Sequence, residues 1–346
     1  MRFVLGIVLS GAVFLSSCGP AGSTPTPTPA AKPTAAPAAT TGSASATKVS
    51  IAYSNLIADN LALWTAKESG IFTDNGLDVD LQYIASTNAM SALLAGQVQM
   101  ASTGGSEVIN SIANGADLVV VATITPVYAV FLETRPEITS AEGLKGKTIA
   151  ITNPGASFDV ASRVLLEHEG LNPDTDVTFI KTGSVANVTA ALISGNVDAG
   201  LANVPDKLKI EAAGLHPLFD MSQLGFPGST VVLVLQRSFV NSQHDAVQRL
   251  VDSVVEATAR QKKDKPGTVE LLKKYLQTDD QSGMEAAFDY YTGSVLPALP
   301  YPKEEQFADA QKTTIASNPK AREVRVSSFI DPSFVQSSAD RGLDKR

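Results

Sequence analysis

Residues 92–101 read A-L-L-A-G-Q-V-Q-M-A, and residues 191–200 read A-L-I-S-G-N-V-D-A-G. Each stretch has the pattern of the last turn of a helix, a glycine just past the helix end, and a short buried strand. Glycine is favoured at that position because the backbone there needs a positive φ. A strand-like segment precedes each copy at nearly equal distance, at residues 78–84 and 176–180. A strand–helix–strand unit that occurs twice predicts two α/β lobes of similar plan.

The composition excludes several classes of function. The chain has 346 residues, enough for two lobes with separate cores, and a net charge of −8 without a clustered basic face. We therefore expect no nucleic acid as a partner. The three histidines, His168, His216 and His244, are scattered and have no partner at the spacing of a metal site or a catalytic triad. We expect no metal, no cofactor and no catalytic residue.

The first residues have the pattern of a targeting segment. Arg2 gives a positive charge, and the apolar run at residues 3–15 is too short to span a membrane as a mature helix. The sequence Leu-Ser-Ser-Cys18 that follows resembles a bacterial lipobox, in which the cysteine is diacylated and becomes the mature N-terminus. Residues 19–47 are mainly Pro, Thr, Ala and Ser, which predicts a disordered tether. We therefore assign 1–17 to a lipoprotein signal peptide and 18–47 to the lipidated Cys18 and its tether.

The apolar pattern of the remaining chain predicts two crossings between the lobes. A buried strand is predicted over 118–125, followed by a crossing at 128–133, and the β-branched run at 230–235 is interpreted as the return crossing. The chain beyond that run is predicted to be helical. Lobe 1 then comprises 48–130 and 228–346, including these C-terminal helices, and lobe 2 comprises 131–227. Two crossings make a hinged clamshell with a ligand in its cleft.

Four segments, in order, carry a resemblance to a known family: residues 64–79, 92–98, 143–149 and 191–199. Their sequences are W-T-A-K-E-S-G-I-F-T-D-N-G-L-D-V, A-L-L-A-G-Q-V, G-L-K-G-K-T-I and A-L-I-S-G-N-V-D-A. They resemble the solute-binding proteins of ABC importers in the nitrate, sulfonate and thiamine-precursor group, the type related to NMT1/THI5 and to the aliphatic sulfonate binder. The resemblance covers roughly residues 48–235.

The resemblance implies an α/β protein with the type II periplasmic-binding-protein fold, in which two doubly wound lobes are joined by a two-strand hinge. A protein of this type captures a small molecule and delivers it to a membrane permease driven by a cytoplasmic ATPase. With the lipobox, this implies an extracytoplasmic monomer anchored to the cell membrane by its lipid.

The candidate binding residues follow from the fold, because ligands of doubly wound sheets bind beyond the carboxyl ends of the strands. Most of the loops at those ends begin helices, where free N–H groups and small hydroxyls suit an anionic head group. Each Ser, Thr or Asn there also fits a plain helix cap, and Trp64 also fits a core position. The candidates are Asn55, Trp64, Thr87, Ser102, Thr103, Gly104, Thr125, Asn153, Ser157, Phe158, Asp159 and Asn203.

The sequence leaves two ligand classes open. Helix starts favour a sulfonate-type or nitrate-like anion, but these loops contain no Arg or Lys to clamp one. Asp159, in the first turn of a helix, would accept hydrogen bonds from ring or amine N–H groups and repel an anion, unless it only complements the helix dipole. Phe158, Trp64, Tyr53 and Tyr128 could stack on a ring. The second class is therefore a neutral heterocycle such as a pyrimidine or a flavin.

Two other functions compete with a transport-binding role. One is a ligand-sensing extracytoplasmic domain that reports to a signalling partner. The other is an enzyme, because eukaryotic relatives of the group make the thiamine pyrimidine with a Cys-rich motif and an internal histidine. This chain lacks that motif, and its single cysteine is the predicted lipidation site. We therefore expect a protein that is not an enzyme.

Overall fold

The computed structural model describes residues 46–84, 86–154 and 156–346, apart from the side chains of Ser86 and Thr87. The predicted signal peptide, Cys18 and nearly all of the predicted tether lie outside the described residues. Residues 44–346 form one compact unit. The unfolding and spin-label experiments proposed below therefore use the unit 44–346.

The strands of the described residues form two five-stranded sheets. In chain order they are β1 (Thr47–Tyr53), β2 (Leu77–Tyr83), β3 (Met100–Thr103), β4 (Leu118–Thr125), β5 (Phe131–Thr134), β6 (Thr148–Ile151), β7 (Thr178–Lys181), β8 (Ala199–Ala202), β9 (His216–Asp220) and β10 (Val231–Gln236). The first sheet has the order β2-β1-β3-β10-β4 and the second has the order β7-β6-β8-β5-β9. In each sheet the first three strands are parallel, and the fourth runs antiparallel to both of its neighbours.

Helices cover these sheets, and short 3₁₀ turns join several of the elements. The helices are α1 (Leu61–Glu68), α2 (Ile71–Asp74), α3 (Ser86–Leu94), α4 (Gly105–Ala113), α5 (Ser157–His168), α6 (Val185–Ser194), α7 (Asp206–Ala212), α8 (Arg237–Ser242), α9 (His244–Lys263), α10 (Lys265–Leu276), α11 (Gln281–Tyr290), α12 (Ala308–Ser317) and α13 (Ser333–Asp340). We call the first sheet and its helices lobe 1, and the second sheet and its helices lobe 2.

The internal repeat is confirmed by the backbone. Gly96 follows α3 with φ +72°, and Gly195 follows α6 with φ +84°. The same hydrogen bond closes both helix ends: Gln97 N–H donates to the Ala92 carbonyl at 2.9 Å, and Asn196 N–H donates to the Ala191 carbonyl at 3.0 Å. The units β2-α3-β3 and β7-α6-β8 are therefore equivalent, and the predicted α/β fold with two doubly wound sheets is confirmed.

The crossings differ in detail from the sequence-based interpretation. The first crossing is residues 126–130, and Phe131 already begins a strand of the second sheet. The run at 230–235 is not itself the return crossing, because residues 231–236 form β10 between β3 and β4. Core clusters cover both faces of β10, so its sequence is apolar without alternation. The return crossing is the less regular segment 221–230.

Separate apolar cores support the two sheets. One cluster lies between the first sheet and α1, α9 and α11, and a second lies on its other face with α3, α4 and Phe307. A third fills lobe 2 around α5 and α6. Within the described residues, no helix is long and apolar enough to span a membrane. The same residues contain no group of three or more His, Cys, Asp or Glu side chains placed to hold a metal ion.

Candidate functional site

The loops at the carboxyl ends of the lobe 1 strands lie side by side. Ser54 N–H donates to the Ser102 carbonyl at 3.1 Å, which joins the loop after β1 to the end of β3. Ile84 N–H donates to the Tyr53 carbonyl at 3.1 Å, which brings the end of β2 to the same place. Polar residues that are distant in sequence therefore meet at one edge of the sheet, the edge that carries ligands in doubly wound folds.

A buried amide and hydroxyl cluster occupies this edge. Asn60 Nδ2 donates to Asn55 Oδ1 at 2.7 Å and to the Asn55 carbonyl at 3.2 Å. Ser102 Oγ donates to Asn60 Oδ1 at 2.7 Å, and both residues are fully buried. Asn60 does not cap α1 with its side chain. It instead links the predicted residues Asn55 and Ser102, so both loops are held in one arrangement.

Next to this cluster, Asp59 is buried with a carboxyl group that accepts from two hydroxyls. Thr125 Oγ1 donates to Asp59 Oδ1 at 3.3 Å, and the Tyr291 hydroxyl donates to the same carboxyl. Burial raises the pKa of Asp59 to about 7, although both hydrogen bonds lower it. Burial also raises the pKa of Tyr291 well above its usual value, and nearby Asp59 adds to this. At neutral pH this carboxyl is therefore poised between its neutral and charged forms.

The neighbouring residue, Tyr290, makes a second polar contact, with a residue of lobe 2. Tyr290, at the end of α11, donates its hydroxyl to Asp220 Oδ1 at 3.1 Å. Asp220 also accepts from Ser222 N–H at 3.0 Å and Ser222 Oγ at 2.7 Å. The Tyr290 ring packs on Phe131, the first residue of β5, with ring centroids 4.8 Å apart. The adjacent residues Tyr291 and Tyr290 thus bond to Asp59 of lobe 1 and to Asp220 of lobe 2, at the place where both crossings leave the sheets.

Several helix starts in this region already carry an acidic residue of the chain itself. Glu107 lies in the first turn of α4, and a Cβ at Gly104 would stand 2.5 Å from its Oε2. Burial raises the pKa of Glu107. Asp159 lies in the first turn of α5, and Asp206 in the first turn of α7. An acidic side chain in the first turn complements the helix dipole, so it makes these helix starts less favourable for a bound anion.

Two predicted contact residues lie in the cores. Trp64 is fully buried and stacks on Tyr275 of α10, with ring centroids 4.6 Å apart. Phe158 is buried within the lobe 2 core. Neither ring presents a free face to the cleft, so we do not retain them as ligand contacts. For Trp64 the reason lies in its own helix, because residues 61–66 of α1 are all buried. A ring on this part of α1 has no solvent-facing side that a ligand could reach.

Asp159 forms an ion pair within its own helix. Arg163 Nε donates to Asp159 Oδ1 at 2.8 Å, and the same guanidinium pairs with Asp174 at 2.7 Å. The Arg163 guanidinium also lies 4.7 Å from the centre of the Phe179 ring. The i,i+4 spacing of Asp159 and Arg163 is a signal that the sequence already contained. The arrangement favours a structural role for Asp159.

The remaining predicted residues are spread over both lobes. Thr103 is buried, and its hydroxyl has no hydrogen-bond partner among the described residues. Asn153 is half-buried and donates to the Gly183 carbonyl at 3.3 Å, whereas Ser157 is exposed. Asn203 is half-buried after β8, where its carbonyl accepts from Lys207 N–H at 2.9 Å. The side chain of Thr87 lies outside the described residues.

Sequence reasoning did not single out Asp59, Glu107, Asp220, Tyr290 or Tyr291 as binding residues. Nothing in their local sequence marks them, because their roles come from contacts between distant parts of the chain. A doubled tyrosine after a long helical region was a possible signal, since buried tyrosines need partners for their hydroxyls.

The sequence profile of the NMT1/THI5-like family matches residues 58–264, more than half of the chain. The chain belongs to this family. It is also 23% identical over 217 residues to YtlA of Bacillus subtilis (strain 168), which is provisionally named a binding protein. That match covers 61% of this chain and 65% of YtlA, which is less than two thirds of its length.

Solved structures share the fold at low sequence identity. The periplasmic aliphatic sulphonate binding protein SsuA from Escherichia coli has a TM-score of 0.67 and 20% identity, covering 82% of this chain and 92% of its own. The desulfurization enzyme DszB has a TM-score of 0.61 and 19% identity, covering 85% of this chain and 99% of its own. These likenesses establish the periplasmic-binding-protein fold. They do not choose between binding and catalysis, because the fold serves both.

Proposed function

We propose that this protein is an extracytoplasmic, lipid-anchored solute-binding protein that captures a small organic molecule between its lobes and delivers it to an ABC import permease. The observation that carries the proposal is a pair of adjacent tyrosines: Tyr291 donates to Asp59 of lobe 1, and Tyr290 donates to Asp220 of lobe 2. Side chains from both lobes meet at the crossings, where a bound molecule could bridge them and favour closure.

Of the two ligand classes, the charges favour a neutral or cationic heterocycle over a sulfonate-type anion. The first turns of α4, α5 and α7 carry Glu107, Asp159 and Asp206, which satisfy the helix dipoles. Asp59 and Asp220 add two carboxyl groups at the crossings. An anion would have to approach Asp59 and Asp220, whereas ring or amine N–H donors would bond to them. Neither SsuA nor DszB is named for a ligand of this class.

Thermal unfolding of the unit 44–346 with a panel of ligands tests the proposal. The panel contains pyrimidines, flavins, organic amines, alkanesulfonates and nitrate. A ligand at about 100 times its dissociation constant stabilises the fold by about 2.7 kcal/mol, which shifts the melting temperature measurably. Asp59→Asn should weaken binding of the stabilising ligand. Asp78→Asn is the matched control, because Asp78 is exposed on β2 and loses the same charge.

The outcomes separate ligand class from function. Stabilisation by a heterocycle or amine, lost in Asp59→Asn and kept in Asp78→Asn, supports both. Stabilisation by sulfonates alone overturns the ligand class and keeps the binding function. No stabilisation by any member of the panel counts against the binding function itself. Recovery of a chemically altered ligand after incubation would instead favour an enzyme.

The anchor and the permease are tested in the bacterium that makes the protein. Replacing Cys18 with serine should release the protein from the membrane fraction and abolish its labelling by a fatty-acid probe. The wild-type protein should co-purify with a permease and its ATPase after cross-linking. Co-purification with a sensor kinase and no permease would favour the ligand-sensing alternative.

A further inference from the structure

Helix α12 is fixed to lobe 1. Asn318, which ends the helix, donates through Nδ2 to Asn110 Oδ1 of α4 at 2.9 Å. Phe307, which precedes it, is fully buried and packs edge-on against Phe329 with ring centroids 5.3 Å apart. The helix therefore moves with lobe 1, and any contact that it makes with lobe 2 joins the two lobes.

Two side chains of α12 reach α5 of lobe 2. Lys312 forms an ion pair with Glu167, and Asp309 Oδ2 lies 4.0 Å from His168 Nε2. The Asp309 side chain is 21% exposed and His168 is 43% exposed. Both contacts are polar, and water can replace them when the helices separate.

Asp309 and His168 each also contact one of the two crossings. The Tyr128 hydroxyl, from the first crossing, donates to the Asp309 carboxylate. The Phe226 ring, from the return crossing, stacks on His168 with ring centroids 4.0 Å apart and an interplanar angle of 18°. A bend in either crossing must therefore disturb the contact between α12 and α5.

On the other side of the lobe junction, the two lobes are packed through apolar residues. Phe131 and Val204 of lobe 2 belong to the apolar core cluster of lobe 1, next to α11. A Cβ at Gly283 of α11 would stand 2.7 Å from Pro205 Cβ, so the backbone of α11 lies close against lobe 2 there. Separating this side would expose apolar surface, whereas the two contacts between α12 and α5 described above are charged and polar.

From this asymmetry we propose that α12 is a strap, which holds lobe 2 closed against lobe 1 without a ligand and releases when the crossings bend. The junction at α11 stays packed and acts as the pivot. Exposed ion pairs shift an equilibrium by roughly two- to fivefold. The strap thus biases the lobes toward closure but leaves a ligand able to enter through the open form.

Pulsed electron paramagnetic resonance on the unit 44–346, without ligand, tests the strap. Spin labels are placed at Leu94→Cys and Ile193→Cys, which are exposed and occupy equivalent positions in the two lobes. The unit has no other cysteine, because Cys18 is the only one in the chain. Distances between the labels are compared for wild type, Lys312→Glu, Glu167→Lys and the double reversal. Lys320→Glu reverses an exposed charge outside this contact and serves as the control.

Wild type should show mainly the closed distance. Each single reversal should raise the open population roughly two- to fivefold, the double reversal should restore closure, and the control should match wild type. The proposal is overturned if wild type is already open, if the single reversals match wild type, or if the double reversal stays as open as the singles. Since no ligand is present, these outcomes do not depend on the proposed function.

Discussion

Replacing Asp59 with asparagine should change how the stability of the protein depends on pH. The carboxyl is 3% exposed, and burial raises its pKa to about 7, against about 3.9 for an aspartate in an unfolded chain. The folded state therefore binds this proton more tightly than the unfolded state does. The stabilisation from this group is fully present below the unfolded pKa, and it is lost as the pH rises through the folded pKa.

The size of the effect follows from the two pKa values. Each pKa unit corresponds to about 1.4 kcal/mol, and most of the difference between about 3.9 and about 7 lies between pH 5 and pH 8. The wild-type protein should lose about 3 kcal/mol of unfolding free energy from this group over that range. Asparagine cannot titrate, so the variant should lack this loss. Its unpaired amide hydrogens lower stability equally at every pH, and they do not affect the comparison.

The assay is urea unfolding of the unit 44–346 at pH 5, 6, 7 and 8, for wild type, Asp59→Asn and the exposed control Asp78→Asn. The free-energy difference between Asp59→Asn and wild type should move in favour of the variant by about 3 kcal/mol from pH 5 to pH 8. The Asp78→Asn difference should stay flat. A flat difference for Asp59→Asn as well would refute the burial of a titrating carboxyl at this position.

Three further predictions concern other buried groups. Glu133 is fully buried, neither carboxyl oxygen has a hydrogen-bond partner among the described residues, and burial raises its pKa to about 7. Glu133→Gln should therefore gain about 2–3 kcal/mol relative to wild type between pH 5 and pH 8, and equal slopes in urea titrations would contradict this. Ser102→Ala removes the donor to Asn60 Oδ1 and should cost about 1–3 kcal/mol at constant pH, whereas unchanged stability would show that water replaces it. Trp64, the only tryptophan, is buried on Tyr275, so acrylamide should quench its emission only after unfolding; quenching in the folded protein would place it near solvent.

The parts of the fold that sequence predicted well are the ones with local causes. Gly96 and Gly195 end their helices with positive φ. Each of these helix ends can be recognised from the short stretch of sequence around its glycine. The β-branched run at 230–235 was recognised as a β run, and residues 231–236 do form strand β10. Its place between β3 and β4 depends on distant partners, which is why it was taken for the crossing.

The candidate site was predicted only in part, for the same reason. Asn55, Ser102 and Thr125 were identified from their places near the carboxyl ends of strands. The structure joins Asn55 and Ser102 through Asn60, and it places Thr125 against the neighbouring Asp59. Tyr290 and Tyr291, which bond to Asp220 of lobe 2 and to Asp59, lie far along the chain from all three of these predicted residues. No spacing rule connects residues so far apart, so only the packing of α11 against the crossings reveals them.

The most direct test of the binding function is native mass spectrometry of the full chain, produced with its own N-terminal segment in its own bacterium, released from the membrane and purified gently at low salt. We predict a protein peak that carries one bound small molecule, either neutral or positively charged. Denaturation should release this molecule chemically unaltered, and the bound fraction should be smaller for Asp59→Asn. A readily lost sulfonate-sized anion that is unaffected by Asp59→Asn would contradict the proposed ligand chemistry. A bare protein that also fails to respond to the whole ligand panel would contradict the claim that this protein captures a small molecule between its lobes.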